Sequence, residues 1–238
     1  MSELKSLADY PQSMQDEVAA VRQAVASLHA ELPRYELVVW TAGNVSQRVR
    51  HPQITDGSAD LFVIKPSGVF YDDLTPESMV VCTIDGKLLE GEHAPSSDTA
   101  AHAYTYEHMP EVGGVVHTHS TYATAWAARG EEIPCVLTMM ADEFGGPIPV
   151  GPFAIIGDDS IGRGIVSTLR ESRSPAVLMA NHGPFTIGKD ARAAVKAAVM
   201  CEEVARTVHI AQQLGDPQPI DPAKIDSLYE RYQNVYGQ

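Results

Sequence analysis

The chain has 238 residues, a formal net charge of −14, and is 44% hydrophobic and 20% charged. This is a globular balance, and the length fits one large domain or two small ones. The acidity argues against nucleic acid as a partner, because a phosphate backbone needs a basic face; a small phosphorylated ligand needs only one lysine and a few N–H and hydroxyl donors. No apolar run reaches the roughly 20 residues of a membrane helix, and Met1 to Lys5 lacks the basic flank and apolar core of a signal peptide. No membrane association and a cytoplasmic location are therefore expected. Cys82, Cys135 and Cys201 are far apart and form no CxxC pair, so they read as buried thiols.

In chain order, Ser13 to Leu32 has helical spacing in Val18, Val21, Val25, Leu28 and Leu32, and Pro33 ends the run. Strands are expected at 36–40, 45–50, 61–65 and 79–84, between turns rich in Gly, Asn, Asp and Pro. A helix over 98–108 starts at Ser96-Ser97-Asp98, a strand runs into His117, and a short helix covers 121–129. Short strands at 135–138 and 153–156 precede a helix from Asp159 or Ser160 to about Ser172. A strand at 176–181 leads to His182-Gly183-Pro184, with another short strand at 185–187. A long helix at 191–214, a proline-marked loop and a terminal helix at 225–232 complete the chain. Strands and helices interleave from end to end with no repeat or linker, which predicts a single α/β domain. Adjacent strands on short turns predict a mixed sheet with substantial antiparallel pairing.

Val115-Val116-His117-Thr118-His119-Ser120 carries the most chemistry. On an extended strand, residues two apart point the same way, so His117 and His119 would present two imidazoles together, half of a zinc site. The competing reading is one hydrogen-bonded and one exposed histidine. His182, at an abrupt turn after an apolar strand, is a candidate third imidazole or a histidine bonded to its own loop. The remaining histidines, His29, His51, His93, His102, His108 and His209, are expected in solvent. Asp98 is either a plain helix cap or a carboxylate ligand or base beside the His pair. Three segments offer anion contacts: Gly43-Asn44-Val45-Ser46, Lys65-Pro66-Ser67-Gly68 and Ser96-Ser97 at a helix start.

Taken in order, these segments resemble the class II aldolase and epimerase family, in its sugar-phosphate 4-epimerase branch. The matching pieces are Gly43 to Ser46, Lys65 to Gly68, Pro95-Ser96-Ser97-Asp98-Thr99, Val116 to Ser120, Ala141-Asp142, His182-Gly183-Pro184-Phe185 and the ending Tyr236-Gly237-Gln238. They span roughly residues 15 to 238. The resemblance implies a three-layer α/β/α fold around a mixed, mostly antiparallel sheet. It implies Zn2+ held by His117, His119 and His182, with Asp98 as a carboxylate ligand; Mn2+ and Co2+ also suit such donors. Aldolase relatives usually carry Glu at the Asp98 position, so Asp points to the epimerases. Asn44, Ser67, Gly68, Ser96 and Ser97 would hold the substrate phosphate, with Gly43 in the same loop and Lys65 close by. Asp142 and Tyr229 would be the acid/base pair, Tyr229 coming from a neighbouring subunit of a homotetramer with sites between subunits. Tyr232 and Tyr236 compete for the Tyr229 role.

The implied reaction converts L-ribulose 5-phosphate to D-xylulose 5-phosphate, a step of arabinose metabolism. The C4 hydrogen is not alpha to the carbonyl, so its removal gives no stabilised carbanion. Retro-aldol cleavage of C3–C4, rotation of the aldehyde and re-addition is the accessible route. Two departures favour the runner-up, a class II aldolase of the fuculose- or rhamnulose-phosphate type. Met140 stands where the epimerase pattern has His, and the 145–157 segment is short and aldolase-like. More distant alternatives are a dehydratase of a methylthio-sugar phosphate and a metal-free scaffold like the adducin head.

Overall fold

The computed structural model describes residues 6–235, so Tyr236 and the Tyr236-Gly237-Gln238 ending lie outside the described residues. Eight strands form one sheet: β1 (Asn44–Val49), β2 (Leu61–Ile64), β3 (Val80–Thr83), β4 (Leu88–Glu90), β5 (Gly114–His117), β6 (Val150–Gly151), β7 (Ala176–Met179) and β8 (Gly183–Gly188). Their spatial order is β4-β3-β2-β1-β5-β8-β7-β6. Every pairing is antiparallel except β6 with β7, so the sheet is mixed and mostly antiparallel, as expected.

The strands β2, β5 and β7 are buried along their whole length, which is why they read as continuous apolar runs rather than alternating ones. Alternate residues still part company. Leu61, Val63, Val45 and Val116 pack with α1 (Gln12–His29) and the start of α7 (Ala191–Leu214). Phe62, Ile64, Val115 and Phe185 pack on the other face with α3 (Thr99–His108) and α6 (Ser160–Leu169). These are the three layers: helices, sheet, helices. A third apolar cluster joins α4 (Thr121–Arg129), α5 (Thr138–Phe144) and the rest of α7 over Ala176 and Leu178. The helix α8 (Pro222–Asn234) packs on α5 and buries no residue of its own. Among the described residues no helix is long and apolar enough to cross a membrane.

Several expected elements differ. The first helix breaks at Ala30, and Pro33 lies inside a four-residue turn of helix, α2 (Glu31–Arg34). Residues 36–40 form no strand: Glu36 and Trp40 take left-handed backbone, at φ 58 each, which no ladder accepts. The runs at 135–138 and 153–156 are not strands either. The first feeds into α5, and the second leaves Phe153, Ile155 and Ile156 exposed with no neighbouring strand. β-propensity expresses packing on a pleated surface, and neither run has that surface.

Candidate active site

The site gathers at the ends of β1 and β5 and the turn between β7 and β8. His117 is the last residue of β5, and Asn44 and Phe185 face it from the strands on either side. The His117 ring stacks on Phe185 at 4.1 Å. His117 Nδ1–H donates to the Pro184 carbonyl at 3.0 Å, which leaves Nε2 as the free lone pair. Two residues on, His119 brings its Nε2 to 2.9 Å from that of His117. His182 joins them from the β7–β8 turn. There Asn181 takes left-handed backbone at φ 59, a conformation asparagine tolerates. A Cβ on Gly183 would meet the Thr118 carbonyl oxygen at 2.7 Å, so only glycine lets the two chain segments approach this closely.

One nitrogen from each of the three rings falls within 4.8 Å of the others. Burial depresses the pKa of all three imidazoles, His117 most strongly, so they are neutral, the form that ligates a cation. Two nitrogens on one tetrahedral zinc sit about 3.3 Å apart. The His117–His119 spacing is close to that, with two lone pairs facing each other. The donor set therefore fits a divalent cation, and the one-bonded, one-exposed reading of His117 and His119 fails.

Asp98 is not among the converging nitrogens, yet it is no plain cap. It occupies the N-cap position of α3, but its carboxylate accepts no helix N–H. Oδ2 accepts from Asn44 Nδ2 at 2.7 Å, while Oδ1 is buried with no partner. The same Asn44 amide donates to Ser96 Oγ at 2.9 Å. These contacts begin a polar seam. Along β1, residues 44, 46 and 48 point to one face, about 6.8 Å apart. Along α3, residues 98, 102 and 106 share one face, about 6 Å apart. The two spacings match, and the pairs meet in register. Asn44 reaches Asp98, Ser46 Oγ lies 2.7 Å from both His102 Nδ1 and Tyr106 Oη, and Arg48 donates to the Tyr106 carbonyl. Arg48 also pairs with buried Asp60 at 2.6 Å, so the seam ends in a compensated charge.

The anion-binding segments come together through main-chain bonds. Ser67 N–H donates to the Ala94 carbonyl and Ser96 N–H to the Lys65 carbonyl. Lys65 is 2% exposed, and its ammonium donates to the carbonyls of Thr41 (3.2 Å) and Pro66 (3.3 Å). Burial pushes its pKa down to about 8. Ser67, Gly68 and Ser97 are exposed at the rim. Gly68 takes φ +70 with nothing within 4 Å of a Cβ placed there, whereas a Cβ on Gly43 would lie 2.9 Å from the His117 carbonyl. Gly43 thus brings the first loop against the metal corner, and Gly68 leaves the second open.

Asp142 and Tyr229 lie elsewhere in the chain's own fold. Asp142 is on α5, in a cleft with Leu228, Arg231 and Tyr232. Tyr229 packs over Gly145 and under the Arg173 guanidinium, 5.5 Å from its ring. Neither cleft is lined by the three histidines. Met140, at the position where the epimerase pattern has His, is fully buried.

Four supporting residues escape a linear reading. His29, His102 and His51 are buried, contrary to the solvent expectation. His29 Nδ1–H donates to the Val25 carbonyl, and its Nε2 accepts from Val45 N–H at 2.9 Å, pinning α1 to the strand beside Asn44. Glu202 of α7 accepts from the Tyr122 and Ala123 N–H groups at 2.9 Å each, closing the N-terminus of α4 just after His119. The deciding partners of His29, His102 and Glu202 are remote in sequence, so only polar residues on the inner faces of α1, α3 and α7 could have hinted at them, whereas His51 accepts from the nearby Gln53 and Ile54 N–H groups.

Fold and site together define a protein of the class II aldolase type, and comparison with known proteins agrees. Residues 23–209 match the family described as the Class II Aldolase and Adducin N-terminal domain. The chain belongs to this family. It is 42% identical over 231 residues to L-ribulose-5-phosphate 4-epimerases UlaF of Salmonella paratyphi B and Salmonella typhi, covering 92% of this chain and 98% of each relative. Among solved structures, an L-fuculose 1-phosphate aldolase superposes with a TM-score of 0.81 at 25% identity, over 90% of this chain and 96% of that one. An aldolase II superfamily protein from Pseudomonas syringae shares the fold with a TM-score of 0.77 at 18% identity, over 92% and 86% of the two chains.

Proposed function

We propose that this protein is a zinc-dependent L-ribulose-5-phosphate 4-epimerase, working in the cytoplasm as a homotetramer of single-domain chains. The observation that carries the reading is the 42% identity, along nearly the whole chain, to relatives of that name, in a protein whose three histidines converge. His117, His119, His182 and Asp98 would hold the cation. When bound, it supplies Lewis-acid stabilisation for the negative charge that C3–C4 cleavage leaves on the C2–C3 fragment. Asn44, Ser67, Gly68, Ser96 and Ser97, with Gly43 and Lys65 behind them, grip the phosphate. That grip keeps the aldehyde fragment from leaving while it turns over. Asp142 and Tyr229, one on each face of the aldehyde, take and return the proton on the C4 oxygen. Tyr229 lies on the surface helix α8, in a cleft that none of its own chain's three histidines lines, which supports its serving a neighbouring subunit.

The test is incubation with L-ribulose 5-phosphate, following D-xylulose 5-phosphate with and without a chelator. Epimerisation that stops on metal removal is expected. No turnover, or turnover indifferent to thorough chelation, overturns the proposal. The superposition on an L-fuculose 1-phosphate aldolase favours a second reading, net aldol cleavage. Product analysis separates the two, because an aldolase accumulates free aldehyde.

A further inference from the structure

His102 is a buried histidine that no step above uses. It sits one helical turn after Asp98 on the inner face of α3, with no exposed surface, its ring edge toward Phe185 at 6.3 Å. Nδ1 has a partner in Ser46 Oγ, and Nε2 has none. In the same buried corner, Asp98 Oδ1 also lacks a partner. Neither atom is bonded as placed, and Asn44 Oδ1 is a second open acceptor in the same seam. An unpaired buried polar atom is costly, and the Asp98 carboxylate, whose charge acts on the His102 ring from the same side of α3, is the stronger acceptor for an Nε2–H.

The proton positions follow from the seam. With the proton on Nδ1, a bare Nε2 lone pair would be left toward the Asp98 carboxylate, whose negative charge acts on the ring. With the proton on Nε2, the same approach is attractive. The hydroxyls then line up in one direction: Tyr106 O–H donates to Ser46 Oγ, Ser46 O–H donates to His102 Nδ1, and His102 Nε2–H faces Asp98. Both hydroxyl hydrogens in this chain then have an acceptor, and the Nε2–H is left for Asp98 to take.

We infer that His102 is a positioning residue for Asp98, its Nε2–H holding Oδ1 while Asn44 Nδ2 holds Oδ2. Two clamps leave the carboxylate one orientation toward the His triad, and each oxygen keeps a second lone pair for a cation. The inference rests on the reading of Asp98 as a cation ligand.

Two substitutions separate this role from packing. Glutamine carries an N–H near the Nε2 position and loses the contact with Ser46. Asparagine keeps an acceptor near the Nδ1 position and loses the donor to Asp98. Co2+ titration of the metal-free protein, read by its visible absorption, should show the dissociation constant raised about 10- to 100-fold in His102→Asn and far less in His102→Gln. A role in packing or in holding Ser46 predicts the reverse order or no difference, and either result overturns the inference. As a second readout, long-range proton–nitrogen NMR of the wild type, assigned by the signals missing in His102→Gln, should find His102 protonated on Nε2. Protonation on Nδ1 overturns it. Asp98→Asn is the control for the reading underneath. If it binds Co2+ as tightly as the wild type, the ligand role of Asp98 fails and the inference with it. If Asp98→Asn weakens binding but His102→Asn does not, only the inference fails.

Discussion

Two helices bracket the chemistry of this protein and could hardly be more different. The helix α3 buries Thr99, Ala101, His102, Ala103, Thr105 and Tyr106 and is locked to β1 by side-chain hydrogen bonds at 44, 46 and 48. The helix α8 buries nothing and rests on α5 at the surface. The candidate ligand Asp98 stands at the start of the first, and the candidate acid/base residues Asp142 and Tyr229 on the α5–α8 pair. The proposed cation and phosphate groups would thus be pre-organised within one chain, where burial holds the imidazoles neutral. The proposed proton-transfer groups can sit on a more exposed surface, because they must only meet a substrate already held.

Breaking the rigid side should have the largest effect. His182→Ala removes one of three converging nitrogens; metal content by elemental analysis should drop, and turnover should fall by about 10³-fold or more. Striking the other side should leave the metal in place. Asp142→Asn and Tyr229→Phe should each retain the cation yet lose about 10²- to 10³-fold in epimerisation. Co-refolding the two inactive variants sharpens the comparison further. If Tyr229 serves a neighbouring chain, about one site in four combines an intact Asp142 with an intact Tyr229, and activity returns to about that fraction. If both residues act within one chain, mixing restores nothing.

A smaller effect is expected at the phosphate grip. Lys65 is buried with no carboxylate partner among the described residues, its charge faced only by carbonyls and the Tyr71 ring. Lys65→Met should raise KM for the phosphorylated substrate about tenfold or more, with metal content unchanged. The smallest is at His29, whose folded pKa is pushed down to about 3 by burial. Unfolded, the ring titrates near 6.5, so the unfolded chain binds the extra proton between these values. Stability from this group is fully present above about pH 6.5 and is lost as pH falls toward 3. His29→Gln should flatten the stability–pH profile over pH 4–6 by about 1 kcal/mol per pH unit, measured by urea unfolding.

Legibility followed the same divide. His117, His119 and His182 were readable because ligand chemistry restricts residue type and spacing, and the fold brings them together as expected. The layers were readable from the apolar runs of β2, β5 and β7. What escaped depends on partners far along the chain. His29 bonds a residue 16 positions away and His102 one 56 positions away, so nothing local distinguishes them from solvated histidines. Glu202 caps a helix start 80 positions earlier. The false strands at 36–40 and 153–156 have the right residue types but no neighbour to pair with, and α5 went unread because its seven residues are too few to show a period.

The seam between β1 and α3 also limits how this protein can change in length. A strand repeats its inward face every two residues and a helix nearly every four, and here one step of each covers almost the same distance. Deleting or inserting one residue in β1 turns Asn44, Ser46 and Arg48 to the opposite layer, into the apolar face shared with α1. The two elements can slide past each other only in whole steps. Each such step would hand the Asn44 contact to His102 and leave Asp98 facing nothing.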